Sequence, residues 1–157
     1  EEYPPYLKQG IKRVSFHYIN NPYDPYWKVE YNNPHHVSMA TDGGKVDFWL
    51  TPNSRDDFKG YLAHEAGHIL DGDKKHRYSS SKDWQDAVTA DDATFAKYLK
   101  GKHRVSRYAG TNDSEDFAEC MKAYITDHEY FKKMFPNRAA YIRKMAQQLS
   151  GHHPKMP

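Results

Sequence analysis

Residues 61–71 read Tyr-Leu-Ala-His-Glu-Ala-Gly-His-Ile-Leu-Asp, YLAHEAGHILD. His64 and His68 are four apart, a spacing that on an α-helix sets two side chains about 6 Å apart along the axis and ~40° around it. Both imidazoles can then reach one ion at the ~2.1 Å of a zinc–nitrogen bond. Glu65 falls one position round the helix, beside that ion, where it can take a proton from a water whose pKa zinc lowers to about 7. The pattern H-E-x-x-H also arises by chance, and a chain with 10 histidines gives it many openings. What surrounds it decides the reading.

The surroundings are helical. After TPNS, Asn53 or Ser54 can cap a helix, and Asp56 and Asp57 suit its first turn. Phe58, Tyr61, Leu62, Ile69 and Leu70 then recur at helical spacing until Gly72. Gly67 costs this helix about 1 kcal/mol relative to alanine, which implies close approach by another backbone or by the site itself. Upstream, IKRVSFHYI alternates Val14, Phe16 and Tyr18 against Ser15 and His17, the period of a strand. WKVEY is a second short alternating run, and Asp42-Gly43-Gly44 predicts a hairpin between strands near 36–41 and 45–50. Downstream, helices are expected over 82–100 (one broken or two short), around 113–126, near 127–135 and over 137–149, with 151–157 a tail.

At 157 residues the chain has the size of one domain, mostly strands over 1–52 and mostly helices over 53–150. The core should be aromatic-rich, because 13 Tyr, 7 Phe and 3 Trp supply most of the bulk. Twenty-three basic and 21 acidic residues are mixed along the chain, for a net charge of +2, so no basic stripe for nucleic acid is present. No apolar run reaches the ~18–20 residues of a membrane span. The start at Glu1 reads as a mature or excised fragment. We expect a secreted, extracellular monomer whose signal segment is absent from this stretch, with the cytoplasm as the other location. The single cysteine, Cys120, excludes an internal disulfide and a multi-cysteine zinc cluster. Histidine and carboxylate must therefore hold any metal.

A third ligand sets the subclass. The elongated H-E-x-x-H-x-x-G-x-x-H form fails, since Asp71 and Lys74 stand where Gly and His are needed. No glutamate lies between Glu65 and Glu115, and aspartates 71, 73, 83, 86, 91, 92 and 113 compete for the role. In EDFAE, Glu115 and Glu119 share one helical face while Phe117, Cys120 and Met121 share the other, which leaves a carboxylate pair for a metal and for a supporting contact. Asn112 with Glu115 also makes the capping box N-x-x-E, which needs no metal.

HEAGHILD, followed after a helical spacer by RYAGTNDSEDFAE, resembles the metalloprotease family of the anthrax lethal factor catalytic domain and the smaller bacterial Pro-Pro endopeptidases. The similarity covers about residues 58–149, and the two motifs agree in content, order and internal spacing. It implies one Zn2+ held by His64, His68 and Glu115, with Glu65 as general base, Tyr108 supporting the oxyanion and Glu119 bracing the site. The chain departs from the Pro-Pro endopeptidases at Ser114, where they carry glutamate, and its spacer to Glu115 is closer to that of lethal factor.

Lesser features have plainer readings. Cys120 lies on an apolar helical face and is expected as a packed thiol. The pairs His35-His36 and His152-His153 are poorly placed to share an ion. His103 is a second candidate oxyanion donor, against simple loop solvation. YPPY and PYDPYW suit either turn packing or stacking on proline-rich ligands. Together these readings predict an α+β, zincin-like fold: a small N-terminal twisted β-sheet, the active-site helix beneath it, and a helical C-terminal half. The expected activity is zinc-dependent endopeptidase hydrolysis, with the polypeptide substrate extended along a strand of the 36–50 hairpin and proline-rich targets among the candidates. The alternatives are the catalytic domain of a secreted bacterial toxin acting on host proteins, and a non-hydrolytic binding module.

Overall fold

Gly43 and Gly44 carry φ values of 86° and 80°, the left-handed backbone that the Asp42-Gly43-Gly44 reading requires. They join β2 (Ser38–Thr41) to β3 (Lys45–Trp49) as an antiparallel pair, Ser38 opposite Phe48 and Thr41 opposite Lys45. β1 (Arg13–His17) lies parallel to β3 on its other side, giving the order β1-β3-β2. This is a computed structural model, and it describes residues 4–8, 10–31, 38–41, 43–49, 57–72, 77–96 and 103–151. His35, His36, His152, His153, Asn53 and Ser54 lie outside the described residues.

One expected strand is a helix. WKVEY belongs to α2 (Asp24–Tyr31), preceded by α1 (Pro5–Lys8), and among the described residues of 1–52 these two helices take nearly as much chain as the sheet. The physical reason is the start signal Asp24-Pro25. Proline fixes φ at a helical value and lacks the N–H that a first turn leaves unused, and aspartate favours the positive end of the helix. Asn21 turns the chain into it, accepting from the Tyr23 N–H through Oδ1 (2.9 Å) and from the Asp24 N–H through its carbonyl (3.0 Å).

α3 (Phe58–Asp71) carries the H-E-x-x-H motif. Asp57 caps it, its Oδ1 accepting from the Gly60 N–H at 3.0 Å, and the chain leaves it at Gly72 as expected. Among the described residues the helical second half comprises α4 (Lys82–Ala96), α5 (Asp113–Thr126), α6 (His128–Met134) and α7 (Pro136–Gly151), with a 3-10 turn at Tyr108–Gly110 before α5. The expected 82–100 region is one helix as far as Ala96; 97–100 lie outside the described residues.

α3 packs against α5 at Gly67. A Cβ there would stand 2.9 Å from the Ala118 Cα, so the glycine serves close approach of a neighbouring backbone. α5 in turn buries Phe117, Cys120 and Met121, each 0% exposed, in one cluster with Trp84, Phe131 and Ile142, and Ala118, also 0% exposed, against Gly67. Tyr6 and Leu7 of α1 join this core, so the second tyrosine of YPPY packs inward, while Tyr3 lies outside the described residues. Burial raises the Cys120 thiol well above its ordinary pKa, as fits a packed cysteine.

Two buried polar clusters lock the layers. Asp91 of α4 caps α7 from outside, accepting from the Asn137 N–H (3.0 Å) and the Arg138 N–H (3.1 Å). The Arg138 guanidinium, fully buried, donates to the His103 carbonyl and to Asp92. At the sheet, burial alone would raise the Asp47 carboxyl, but hydrogen bonds from His17 and Lys45, both 2.8 Å, overrule it and hold Asp47 below the ordinary aspartate range. The architecture is thus mixed α+β and mostly helical. No helix of the described residues is long and apolar enough to cross a membrane.

Candidate metal centre

α3 and α5 bring His64, His68 and Glu115 together. Their Nε2, Nε2 and Oε2 atoms form a nearly equilateral triangle: 3.0 Å between the two nitrogens, 3.2 Å from His64 to Glu115 and 3.1 Å from His68 to Glu115. Ligands at ~2.0–2.1 Å in a tetrahedral zinc site lie roughly 3.3 Å apart, so the spacing fits one small cation. Among the described residues this is the group of histidine and carboxylate ligands close enough to share an ion.

The protons point the same way. The His64 Nδ1–H donates to Glu119 Oε1 at 2.9 Å, so on the neutral ring Nε2 is the lone-pair atom facing the triangle. Three lone-pair atoms in mutual contact repel unless positive charge sits among them. Without a metal a proton supplies that charge: burial opposes a charge on His64, yet hydrogen bonds to Glu115 and Glu119, with Glu65 close by, raise its pKa to about 9, so Nε2–H donates to Glu115 and a metal ion would take that proton's place. Against their own burial, Glu115 is held well below the usual range by His64 and His68, and Glu119 is held low by His64 and Ser106. The site is built to attract a cation, and its donor set fits zinc.

Glu115 also fulfils part of the competing reading. Its backbone N–H donates to Asn112 Oδ1 at 3.0 Å, so Asn112 does cap α5. The side chain, however, turns to the histidines and to Tyr108, whose O–H donates to Glu115 Oε1 at 3.2 Å. The Tyr108 ring packs 5.9 Å from that of His64. Cap and candidate ligand coexist because one uses the backbone and the other the carboxylate.

Glu65 is 3% exposed and accepts from the Ser38 hydroxyl at 2.7 Å. Edge strand β2 therefore anchors the expected base, a contact the sequence analysis missed and no spacing rule links over 27 positions. Asp71, a competitor for the third ligand, is instead consumed by Ser79 and Ser114, and the Asp91 and Asp92 carboxylates by the Arg138 cluster. Asp83 and Asp86 pair with Lys144 and Lys82. His103 packs its ring 4.5 Å from that of Phe95, and its carbonyl accepts from Arg138. No family model matches the chain, and no curated protein matches it.

Proposed function

We propose that this chain is a zinc-dependent endopeptidase of zincin-like fold, with His64, His68 and Glu115 as ligands to one Zn2+. The observation that carries the reading is the meeting of three potential ligand atoms, two imidazole Nε2 and one Glu115 oxygen, with Tyr108 donating to the same carboxylate and the Glu65 charge acting on His64. Zinc at such a site supplies Lewis-acid polarisation of a carbonyl and lowers the pKa of a water to about 7.

The protein's own groups do the rest. Glu65 takes the proton of the attacking water and passes it to the leaving amine, while Ser38 holds Oε1 and so fixes the plane of the carboxylate. Tyr108 transfers its O–H from Glu115 to the developing oxyanion, where one such donor is worth about 3–4 kcal/mol. Glu119 holds the His64 tautomer. The substrate lies extended on β2. Among the described residues β3 is flanked by β1 and β2 and β2 is the hairpin strand at the edge, and the Ser38 hydrogen bond to Glu65 supports a substrate strand beside the base.

Metal analysis together with cleavage of a peptide library that includes proline-rich members tests the proposal. Glu65→Gln should keep one zinc per chain and lose hydrolysis; undiminished hydrolysis would rule out Glu65 as the base. Glu115→Ala should release the metal, and full zinc retention would remove Glu115 from the ligand set. Stoichiometric zinc with no cleavage of any peptide by the wild type would favour the non-hydrolytic binding module.

A further inference from the structure

We propose that Ser114 and Asp71 act as a positioning pair for His68, a hydroxyl relay that does for this ligand what Glu119 does directly for His64. The inference rests on the metal reading above. His68 has the more open position of the two histidines, its side chain 23% exposed against 9% for His64, so packing alone restrains its ring less. Its Nδ1 lies 3.3 Å from Ser114 Oγ. The Ser114 hydroxyl lies 3.0 Å from Asp71 Oδ2, and Asp71 is 3% exposed.

The hydrogen count gives the relay a direction. Ser114 owns one hydroxyl proton, and the Asp71 carboxylate accepts only, so that proton goes to Asp71. Ser114 is left with a lone pair toward His68, whose Nδ1 must then carry the ring proton. Nε2 is thereby freed for the triangle, as Glu119 frees it on His64. Asp71 itself is immobilised from another segment: the Ser79 N–H and the Ser79 hydroxyl both donate to it at 2.7 Å. Asp71 lies on the last turn of α3 and Ser114 next to Glu115 on α5, so the pair also ties the histidine helix to the helix of the third ligand. Neither residue touches substrate. Their role is to set the ring orientation and tautomer of His68.

Support of this kind is typically worth 10- to 100-fold in metal affinity. The test compares wild type, Ser114→Ala, Ser114→Thr and Ser79→Ala by zinc competition against a chromophoric chelator. In parallel, 15N NMR of the imidazoles reads the His68 tautomer in zinc-free protein. Ser114→Ala should bind one zinc about 10- to 100-fold more weakly and shift the His68 proton from Nδ1 toward Nε2, where Glu115 Oε2 is the competing acceptor at 3.1 Å. Ser114→Thr, which keeps the hydroxyl, should restore both. Ser79→Ala, which loosens Asp71 without cutting the relay, should stay close to wild type. Unchanged affinity and tautomer in Ser114→Ala overturns the proposal, and so does a Ser79→Ala defect as large as that of Ser114→Ala, which would mark general loosening. If wild type takes up no zinc, the metal reading itself fails. The tautomer of His68 in Ser114→Ala against wild type then still decides the pair.

Discussion

Replacing Gly67 with alanine sets two effects of opposite sign against each other. On a free helix the change favours folding by about 1 kcal/mol. Here the new carbon would stand 2.9 Å from the Ala118 Cα and 3.3 Å from the Met121 Cβ. Carbon pairs rest at about 3.5–4.0 Å, and since the nearest atom is backbone, α3 and α5 must part by ~0.6 Å or more. Overpacking of this kind costs about 1–3 kcal/mol, so a net loss of ~1 kcal/mol is expected once the propensity gain is subtracted. The same displacement reaches the site, because His64 and His68 ride on α3 and Glu115 on α5. Their 3.1 and 3.2 Å separations would open to ~3.7 Å, past the roughly 3.3 Å of a tetrahedral zinc set. Urea unfolding of zinc-free protein and chelator competition measure the two consequences. The expected results are a lower midpoint and at least ~10-fold weaker zinc binding, about 1.4 kcal/mol. A Gly67→Ala protein more stable than wild type, with zinc affinity intact, would refute the argument from helix approach.

Three further perturbations reach other parts of the structure. Ser38→Ala removes the donor on Glu65 Oε1; with a charged hydrogen bond worth about 1.5–3 kcal/mol, kcat should fall roughly tenfold or more at full zinc occupancy, and an unchanged kcat contradicts the anchoring role. Arg138→Ala strips the buried guanidinium from Asp91, Asp92 and the His103 carbonyl, and should cost about 3–5 kcal/mol in thermal or urea unfolding. A loss under ~1 kcal/mol would show the cluster to be dispensable. Because the folded-state pKa of Asp47 is depressed, its stabilisation is present above the unfolded value of about 3.9 and fades as pH falls through the folded value. Asp47→Asn should therefore be less stable than wild type at neutral pH, with a gap that narrows on acidification toward pH ~3; a widening gap reverses the sign of the reasoning.

Sequence legibility followed the range of the interactions. His64, Glu65 and His68 were readable because helix geometry couples residues four apart, and the hairpin because Gly43-Gly44 states its own backbone angles. Gly67 announced a close approach, though only the fold could say that Ala118 is what approaches. α2 was misread because five residues of WKVEY satisfy a two-residue period, whereas the decisive signal, Asp24-Pro25, sits upstream of the alternation. Ser38, Asp71 and Ser114 were invisible as partners of the site for a different reason. Their hydrogen bonds join positions 27, 43 and 46 apart, and no local periodicity carries that information.

The triangle draws on two helices that are distant in sequence, with His68 and Glu115 separated by 47 positions. In the proposed metal-bound state the ion is thus also a staple, closing a loop that contains the whole of α4. By the chain-entropy argument used for cross-links, a closure of that length removes about 4 kcal/mol of freedom from the unfolded chain. Zinc supply would then govern how long the protein survives as well as how fast it works: a chelator that silences the site should leave α3 packed on α5 yet lower the unfolding midpoint and speed proteolysis of the chain.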